Sequence, residues 1–456
     1  VALVGLTLTN PKHWTRTFYQ SLLEFGYPGR LYPVNRGGGE INGLKVWPSL
    51  SDIPGEIDYV ISLVPAGGSE ELITHAAAKG VKVIHFCTAG FSEVDLAGGT
   101  AREAELVRRA RDHGIRVIGP NCMGLYCPST GLAFQPQFPR ESGPIGMVSQ
   151  SGGNAIDMIT QASHRGVRFS KVISYGNGAD LNESDFLEYL AGDPETRAIV
   201  LYIEGVKDGR RFRQALEKAS REKMVILLKG GLTESGTRAA AGHTGALAGQ
   251  PLIWEALSRQ VNLIPVFSMA EAIDLMAAVQ HGFLPRGRRV GLLGTGGGAS
   301  VLIADAFERQ GLVLPPLPAA IKSRLLEFSH LAGNILENPI DYSQTAWESD
   351  KLAKAVKIVG EWEDIDSLLC FPRPGWQSPG SAALWAEILY TMLSAGKGMK
   401  KPVAVLLEPG ITPAAALQVF PLIEKSAQEG FAVFYSFVDA ARAIRRLVDW
   451  GARRHV

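Results

Sequence analysis

The sequence predicts an α/β protein built from three successive parallel-sheet domains. Three observations carry that prediction. Short β-branched runs alternate with amphipathic helical patterns along the chain, which is the mark of βαβ units. The 456 residues suffice for about three domains at about 150 residues each. Two stretches with little periodicity, CPSTGLAFQPQFPRESGP (127–144) and LPRGRR (284–289), divide the alternation into three series.

The first series opens on VALVGL, an apolar run too short for a signal peptide and without its basic lead, so it reads as a strand over 1–6. Strands follow over 58–64, 81–86 and 115–119, and LYPVN (31–35) closes another. Helical patterns lie near 15–26, 69–79 and 101–113. In the second series the strands are expected over 145–149, 169–174, 197–203 and 224–228. Its helices are expected near 152–165, 183–192, 209–221 and 269–282. A small-residue stretch, GGLTESGTRAAAGHTGALAG (230–249), interrupts it. The third series starts at VGLLG (290–294), continues through strands near 366–370 and 402–407, and ends in a helix near 437–450. The expected domains are therefore 1–130, 143–285 and 286–456.

Composition removes several classes of function. Lys plus Arg number 46 against 45 Asp plus Glu, a balance that argues against a nucleic-acid binder. No run of about 18 apolar residues is present, so no membrane span is expected. Four scattered cysteines, at 87, 122, 127 and 370, fit a reducing compartment, and a cytoplasmic location is expected. Neither CxxC nor HExxH occurs, so no metal site is expected in this chain. GxxxxGK[ST] is absent, and no GxSxG elbow comes with a credible triad.

Ligands of open parallel sheets bind beyond the carboxyl ends of the strands, so the strand-to-helix turns hold the chemistry. VSQSGGN (148–154) is one such turn. Ser151, Gly152 and Gly153 would present helix N-terminal amides to an anion, or Ser151 would simply cap the helix. GTGGGAS (294–300) is a second, with Gly296, Gly297 and Gly298 as its candidate phosphate contacts. It matches GxGxxG/A through Gly294, Gly296 and Ala299. The following LVLPPLPAA lacks the carboxylate a dinucleotide site would use, so a small phosphate or a plain tight turn fits better. AAAGHTGALAG (239–249) exposes His243 among Ala and Gly on what reads as a loop. An imidazole with a near-neutral pKa can serve as a nucleophile, although a lone histidine is commonly structural. Glu204 ends the strand AIVLYIEG (198–205), where it would orient such an imidazole or else pair with Lys207 or Arg238. Asn35 and Asn121 end strands of the first series, either holding a ligand edge or forming Asx turns. Trp14, Trp376 and Phe91 are candidates for an acyl pocket or for the core.

Taken together, LYPVN, SLVPA (62–66), TAGFSE (88–93), GPNCMG (119–124), VSQSGGN, SYGNGADLNESDFLEYLAGDPET (174–196), LYIEGVKDGR (201–210), GHTGALAG (242–249) and ENPIDY (337–342) resemble a known family. It is that of the nucleoside-diphosphate-forming acyl-CoA synthetases, of the ADP-forming acetyl-CoA synthetase α-subunit type, related to succinyl-CoA synthetase. The resemblance implies a CoA-binding Rossmann-like domain followed by two flavodoxin-like ligase domains. It implies a phosphohistidine at His243, oriented by Glu204 and held by the two glycine turns. CoA contacts are implied at Gly5, Thr7, Lys12, Asn35, Val64, Pro65, Asn121 and Cys122. The family's first turn reads Gly-Ala-Ser, whereas this chain has Leu6 and Thr7, so Thr7, Lys12 and Arg16 are expected to take over phosphate contacts. No ATP-grasp pattern is found in the chain. The resemblance therefore implies an ATP-grasp β subunit that binds ADP or ATP with Mg2+, in a homo- or hetero-oligomer. The alternative is a CoA- or acyl-CoA-binding protein that keeps the fold without the catalytic cycle.

Overall fold

In the computed structural model, residues 1–94, 98–244, 250–372, 382–409 and 412–454 are described. Their order is β1 (Ala2–Val4), α1 (Trp14–Glu24), β2 (Tyr32–Val34), β3 (Gly39–Ile41), β4 (Leu44–Val46), β5 (Tyr59–Ser62), α2 (Ser69–Ala78), β6 (Val83–Phe86), α3 (Gly99–Asp112) and β7 (Arg116–Ile118). Strands β2-β1-β5-β6-β7 form a parallel sheet, and β3 and β4 pair as a small hairpin beside it. The short strands are apolar because they are covered on both faces, as parallel sheets require.

The next elements are β8 (Gly124–Tyr126), β9 (Ile145–Ser149), α4 (Gly152–Ser163), β10 (Phe169–Ser174), α5 (Glu183–Gly192), β11 (Ala198–Ile203), α6 (Gly209–Glu222), β12 (Met224–Lys229), α7 (Glu234–Thr244), α8 (Pro251–Gln260) and β13 (Ile264–Val266). The sheet order is β13-β12-β11-β9-β10-β8, parallel except for β8, which runs antiparallel to β10. Helix α6 illustrates the local logic. Asp208 caps it through the Arg211 N–H at 3.0 Å, and Phe212, Ala215, Leu216 and Ala219 recur at helical spacing to bury one face. Fully burying a side chain the size of Phe212 or Leu216 contributes about 1.5–3 kcal/mol.

A polar joint ties the first sheet to the second. Asp180 accepts from Arg111 and Arg116 and from the Val117 N–H at 2.9 Å, while the Leu181 N–H bonds the Val117 carbonyl. Asn177 donates to Glu93 at 2.5 Å and to Glu103 at 2.8 Å. These two sheets together make one compact unit, 1–163 with 168–269.

The second unit, 164–167 with 270–456, holds the third sheet. Its elements are α9 (Met269–Gln280), β14 (Val290–Gly294), α10 (Gly297–Arg309), α11 (Ala319–Leu326), β15 (Ile340–Asp341), α12 (Ser349–Glu361), β16 (Ser367–Phe371), α13 (Ala382–Gly396), β17 (Val403–Leu406), α14 (Pro413–Gln428), β18 (Ala432–Phe434) and α15 (Phe437–Arg454). The parallel order is β15-β14-β16-β17-β18. Helix α9 was expected with the second series but groups here. Its Asp274 meets the Arg165 guanidinium at 2.7 Å, and its Glu271 pairs with Arg442 and Arg446 of α15. No described helix is long and apolar enough to cross a membrane.

Candidate functional site

Parallel strands β9, β10 and β11 end level with one another, since Ser149 pairs with Ser174 on one side and with Tyr202 on the other. The chain therefore delivers the Ser151 turn and Glu204 to the same edge. Ser151 caps α4 by accepting from the Asn154 N–H at 3.3 Å, and the Ser149 hydroxyl donates to the Ser151 carbonyl at 2.7 Å. Ser151 therefore caps the helix, and Gly152 and Gly153 follow it at the start of α4. The turn opens on a cavity of about 210 Å³ lined by Cys87, Asn121, Cys122, Met123, Gln150, Ser151, Gly152 and Gly153. Asn121 and Cys122 are accordingly placed with the phosphate turn rather than with the other first-domain candidates.

Glu204 is 4% exposed. The Tyr202 hydroxyl donates to its Oε1 at 3.0 Å. Gln150 Oε1 accepts from the backbone N–H groups of Glu204 and Gly205 at 2.7 and 3.1 Å. The salt-bridge partners expected for it bond elsewhere: Lys207 lies 3.7 Å from Glu103, and Arg238 pairs with Glu234 at 2.8 Å. Gln150 was not singled out in the sequence. Its position directly before Ser151, at a strand's carboxyl end, is the signal that would have found it.

His243 falls within helix α7, where a loop was expected. The residues from Thr233 onward form that helix because Thr233 and Glu234 start it and the alanines that follow are strong helix formers. The His243 side chain lies outside the described residues, as does Trp376. Phe91 is core of the first sheet, and Trp14 is half-exposed at the start of α1, so neither lines the cavity.

A second cavity, of about 510 Å³, opens at the carboxyl ends of β1, β2 and β5 and brings together Gly5, Asn35, Val64 and Pro65 with Arg36, Glu71 and His75. Gly5 has φ +91°, and a Cβ there would come 2.9 Å from the Leu63 carbonyl carbon, so only glycine fits this close approach. The size and open backbone suit an elongated nucleotide-bearing ligand. The Asn35 amide donates to Leu6 O at 2.8 Å and accepts from the Gly37 N–H at 2.9 Å, which makes it an Asx turn. Thr7 and Lys12 do not line the cavity. The Thr7 N–H faces Thr15 Oγ1 at 3.4 Å, its carbonyl accepts from Arg16, and Lys12 is exposed. Burial pushes the Cys122 thiol well up, and its Sγ–H points to the Phe86 carbonyl at 3.7 Å, so it is a packing residue at the cavity wall rather than a nucleophile.

In the second unit the turn before α10 departs from expectation. The Gly296 N–H already donates to Asp341 Oδ1 and Ser343 Oγ, both at 2.9 Å. Gly296 therefore holds the turn together, and Gly297 and Gly298 remain as the candidate anion contacts. Asp341 is 5% exposed and packs directly against the start of the helix at Gly297.

Residues 1–128 match the CoA binding domain, and residues 142–279 match the succinyl-CoA ligase like flavodoxin domain. The chain is 37% identical over 372 residues to acetate–CoA ligase [ADP-forming] II subunit alpha of Pyrococcus furiosus, covering 81% of this chain and 79% of that one. It is also 37% identical to the corresponding I subunit alpha of the same organism, covering 69% of each. A solved structure of a dinucleotide forming acetyl-coenzyme A synthetase 1 from Ca. Korarchaeum cryptofilum, in complex with phosphate and ADP, superposes with a TM-score of 0.84 at 30% identity. That match covers 99% of this chain and 95% of the other. These relatives define the class, acid–thiol ligases of the acyl-CoA synthetase type. The chain belongs to the family of ADP-forming acetate–CoA ligases, among their α subunits.

Proposed function

We propose that this chain is the α-type chain of an NDP-forming acyl-CoA synthetase that works through a phosphohistidine at His243. Phosphate attacks the thioester carbonyl of a bound acyl-CoA, the C–S bond breaks, and CoA leaves as the thiol. The acyl phosphate passes its phosphoryl group to a ring nitrogen of His243, and the carboxylic acid departs. The phosphohistidine then gives the phosphoryl group to a nucleoside diphosphate. Run in reverse, the cycle makes acyl-CoA from acid, CoA and ATP. The protein's share is positioning and charge stabilisation. The α4 amides at Gly152 and Gly153 face the phosphate, Glu204 orients the imidazole, and the cavity at Gly5, Val64 and Pro65 takes the CoA nucleotide.

One observation carries this reading. The buried Glu204 and the Ser151–Gly153 turn stand at neighbouring strand ends, joined through the Gln150 side chain. A protein that only stored CoA would have no use for that pair. The α-subunit names of the Pyrococcus relatives support a partner chain. We assign to it an ATP-grasp fold holding ADP or ATP with Mg2+, in a cytoplasmic complex.

The test is phosphoenzyme formation. The full chain is incubated with radiolabelled phosphate and a panel of acyl-CoAs. Acid-labile, base-stable label is expected on wild type, none on His243→Ala, and at least tenfold less on Glu204→Gln. Full label on His243→Ala would sink the mechanism. CoA binding by calorimetry without label on wild type would favour the non-catalytic alternative.

A further inference from the structure

We propose that Lys229 is a positioning residue of the phosphoryl-transfer site, holding Glu204 and the first residue of the histidine-bearing segment in one fixed relation. The assignment rests on the reading of Glu204 and His243 given above, and neither the sequence motifs nor the family comparison points to it.

The geometry begins with register. Lys229 is the last residue of β12 and pairs with Ile203, the residue before Glu204. Its side chain turns in rather than out and is 7% exposed. The ammonium donates to the Glu204 carbonyl at 2.7 Å and to the Gly230 carbonyl. It also lies 5.0 Å from the centre of the Trp254 ring on α8. On the other side of β11, Gln150 takes the N–H groups of Glu204 and Gly205. The peptide groups flanking Glu204 are thus gripped from both neighbouring strands, where a residue just past a strand end would ordinarily bond water. With Tyr202 on its Oε1, the carboxylate has little freedom left.

Gly230 completes the joint. A Cβ there would come 3.0 Å from the Tyr202 hydroxyl and 3.4 Å from Glu204 Cγ, so the chain crosses directly against the carboxylate's stem. Gly230 also opens the segment that runs through α7 to position 243. One ammonium therefore ties the acid's backbone to the anchorage of the histidine's segment. Bonds from an ammonium to carbonyl oxygens are charge-assisted and stronger than those of the neutral amine.

The site keeps that charge under strain. Burial pulls the Lys229 pKa down to about 8, and the nearby Glu204 charge opposes the fall. Among the described residues, the charged group acting on it is Glu204, and the neutral Trp254 ring from α8 packs beside it. As pH rises through about 8, Lys229 loses its proton, its hold on the two carbonyls weakens, and phosphoenzyme formation should fall.

The experiment measures label from radiolabelled phosphate and acyl-CoA on the full chain between pH 6.5 and 9.5, for wild type, Lys229→Met and Lys229→Arg. Methionine keeps the stem without a donor, and arginine keeps charge and donors but does not titrate in this range. Wild-type label is expected to fall with a midpoint near pH 8. Lys229→Met should carry at least tenfold less label at pH 7 while binding CoA like wild type. Lys229→Arg should retain label without the alkaline fall. Equal label on Lys229→Met and wild type would overturn the assignment. If the methionine variant does not fold, the same alkaline fall in wild type and Lys229→Arg overturns it instead. Absence of label on wild type at every pH would refute the phosphohistidine reading, and this assignment with it. Label on wild type and none on His243→Ala keeps that reading intact whatever Lys229 does.

Discussion

Adding one methyl group to Gly152 or to Gly153 should have opposite effects on stability, and the structure says which is which. A Cβ on Gly152 would stand 2.6 Å from Met123 Cγ. Carbon atoms prefer about 3.5–4.0 Å, so the overlap is about 1 Å. Met123 cannot retreat as a whole, because its N–H is bonded to Ser174 Oγ at 3.1 Å. Its side chain must rotate instead, inside the cavity of about 210 Å³ that it helps to line. Overpacking of this kind costs about 1–3 kcal/mol. A Cβ on Gly153 meets nothing nearer than Ser151 Oγ at 4.0 Å. There the usual Gly→Ala gain of about 0.4–1 kcal/mol stands unopposed. Thermal melting of the two variants checks the order, at about 2–4 °C per kcal/mol for domains of this size. Gly152→Ala is expected to melt below wild type and Gly153→Ala at or above it. If Gly152→Ala melts as high as Gly153→Ala, Met123 swings clear without cost and the packing argument is wrong.

Two further predictions concern other parts of the chain. Burial raises the Asp180 pKa, but the Arg116 guanidinium, the Val117 N–H and Arg111 outweigh it and hold the carboxyl below its ordinary value. Its stabilising share is therefore present above the unfolded pKa and is lost as pH falls through the folded one. Asp180→Ala should cost about 1–3 kcal/mol, less than a fully buried pair because both arginines are half-exposed. Urea unfolding at pH 7 and at pH 3 measures it, and an equal loss at both would contradict the ionic account. In the second unit, a Cβ on Gly297 would lie 2.7 Å from Asp341 Oδ2, while one on Gly298 meets nothing within 4 Å. Gly297→Ala should lower the melting temperature and Gly298→Ala should not, and the reverse order would show that Asp341 does not brace this turn.

Much of the fold was legible because strand and helix periods differ so plainly. Strands β9 and β10 fall where the apolar runs 145–149 and 169–174 put them, and α5 spans the expected 183–192. The misses have physical causes. The stretch 230–249 is rich in Gly and Ala and has no strong apolar stripe, so its helix α7 left little periodic signal. Strand β8 is three residues long and starts at a glycine, too short for alternation to register. In the site, Glu204 and the Ser151 turn could be read because strand ends collect functional groups. Gln150 stands at such a strand end too and was passed over, whereas Lys229 could not be read, because what distinguishes it is a side chain turned back on the backbone of a neighbouring strand. The same holds for Asp341, which is separated from Gly296 by 45 positions in the sequence.

Strand β8 also sets limits on how this protein can be cut or recombined. The irregular stretch after it looks like the natural seam between modules, yet β8 already lies on the far side of the fabric. It is stitched antiparallel onto β10, with Gly124 pressed so closely to His85 of the first sheet that a Cβ there would sit 2.1 Å from the imidazole. A breakpoint at 127–144 would carry the selvedge of the second sheet away with the first module. It would leave β10 with a bare edge, open to pairing with other chains. Chimeras joined ahead of Gly124 keep that hem, and a first module that brings an imidazole at position 85 then meets the glycine its shape requires.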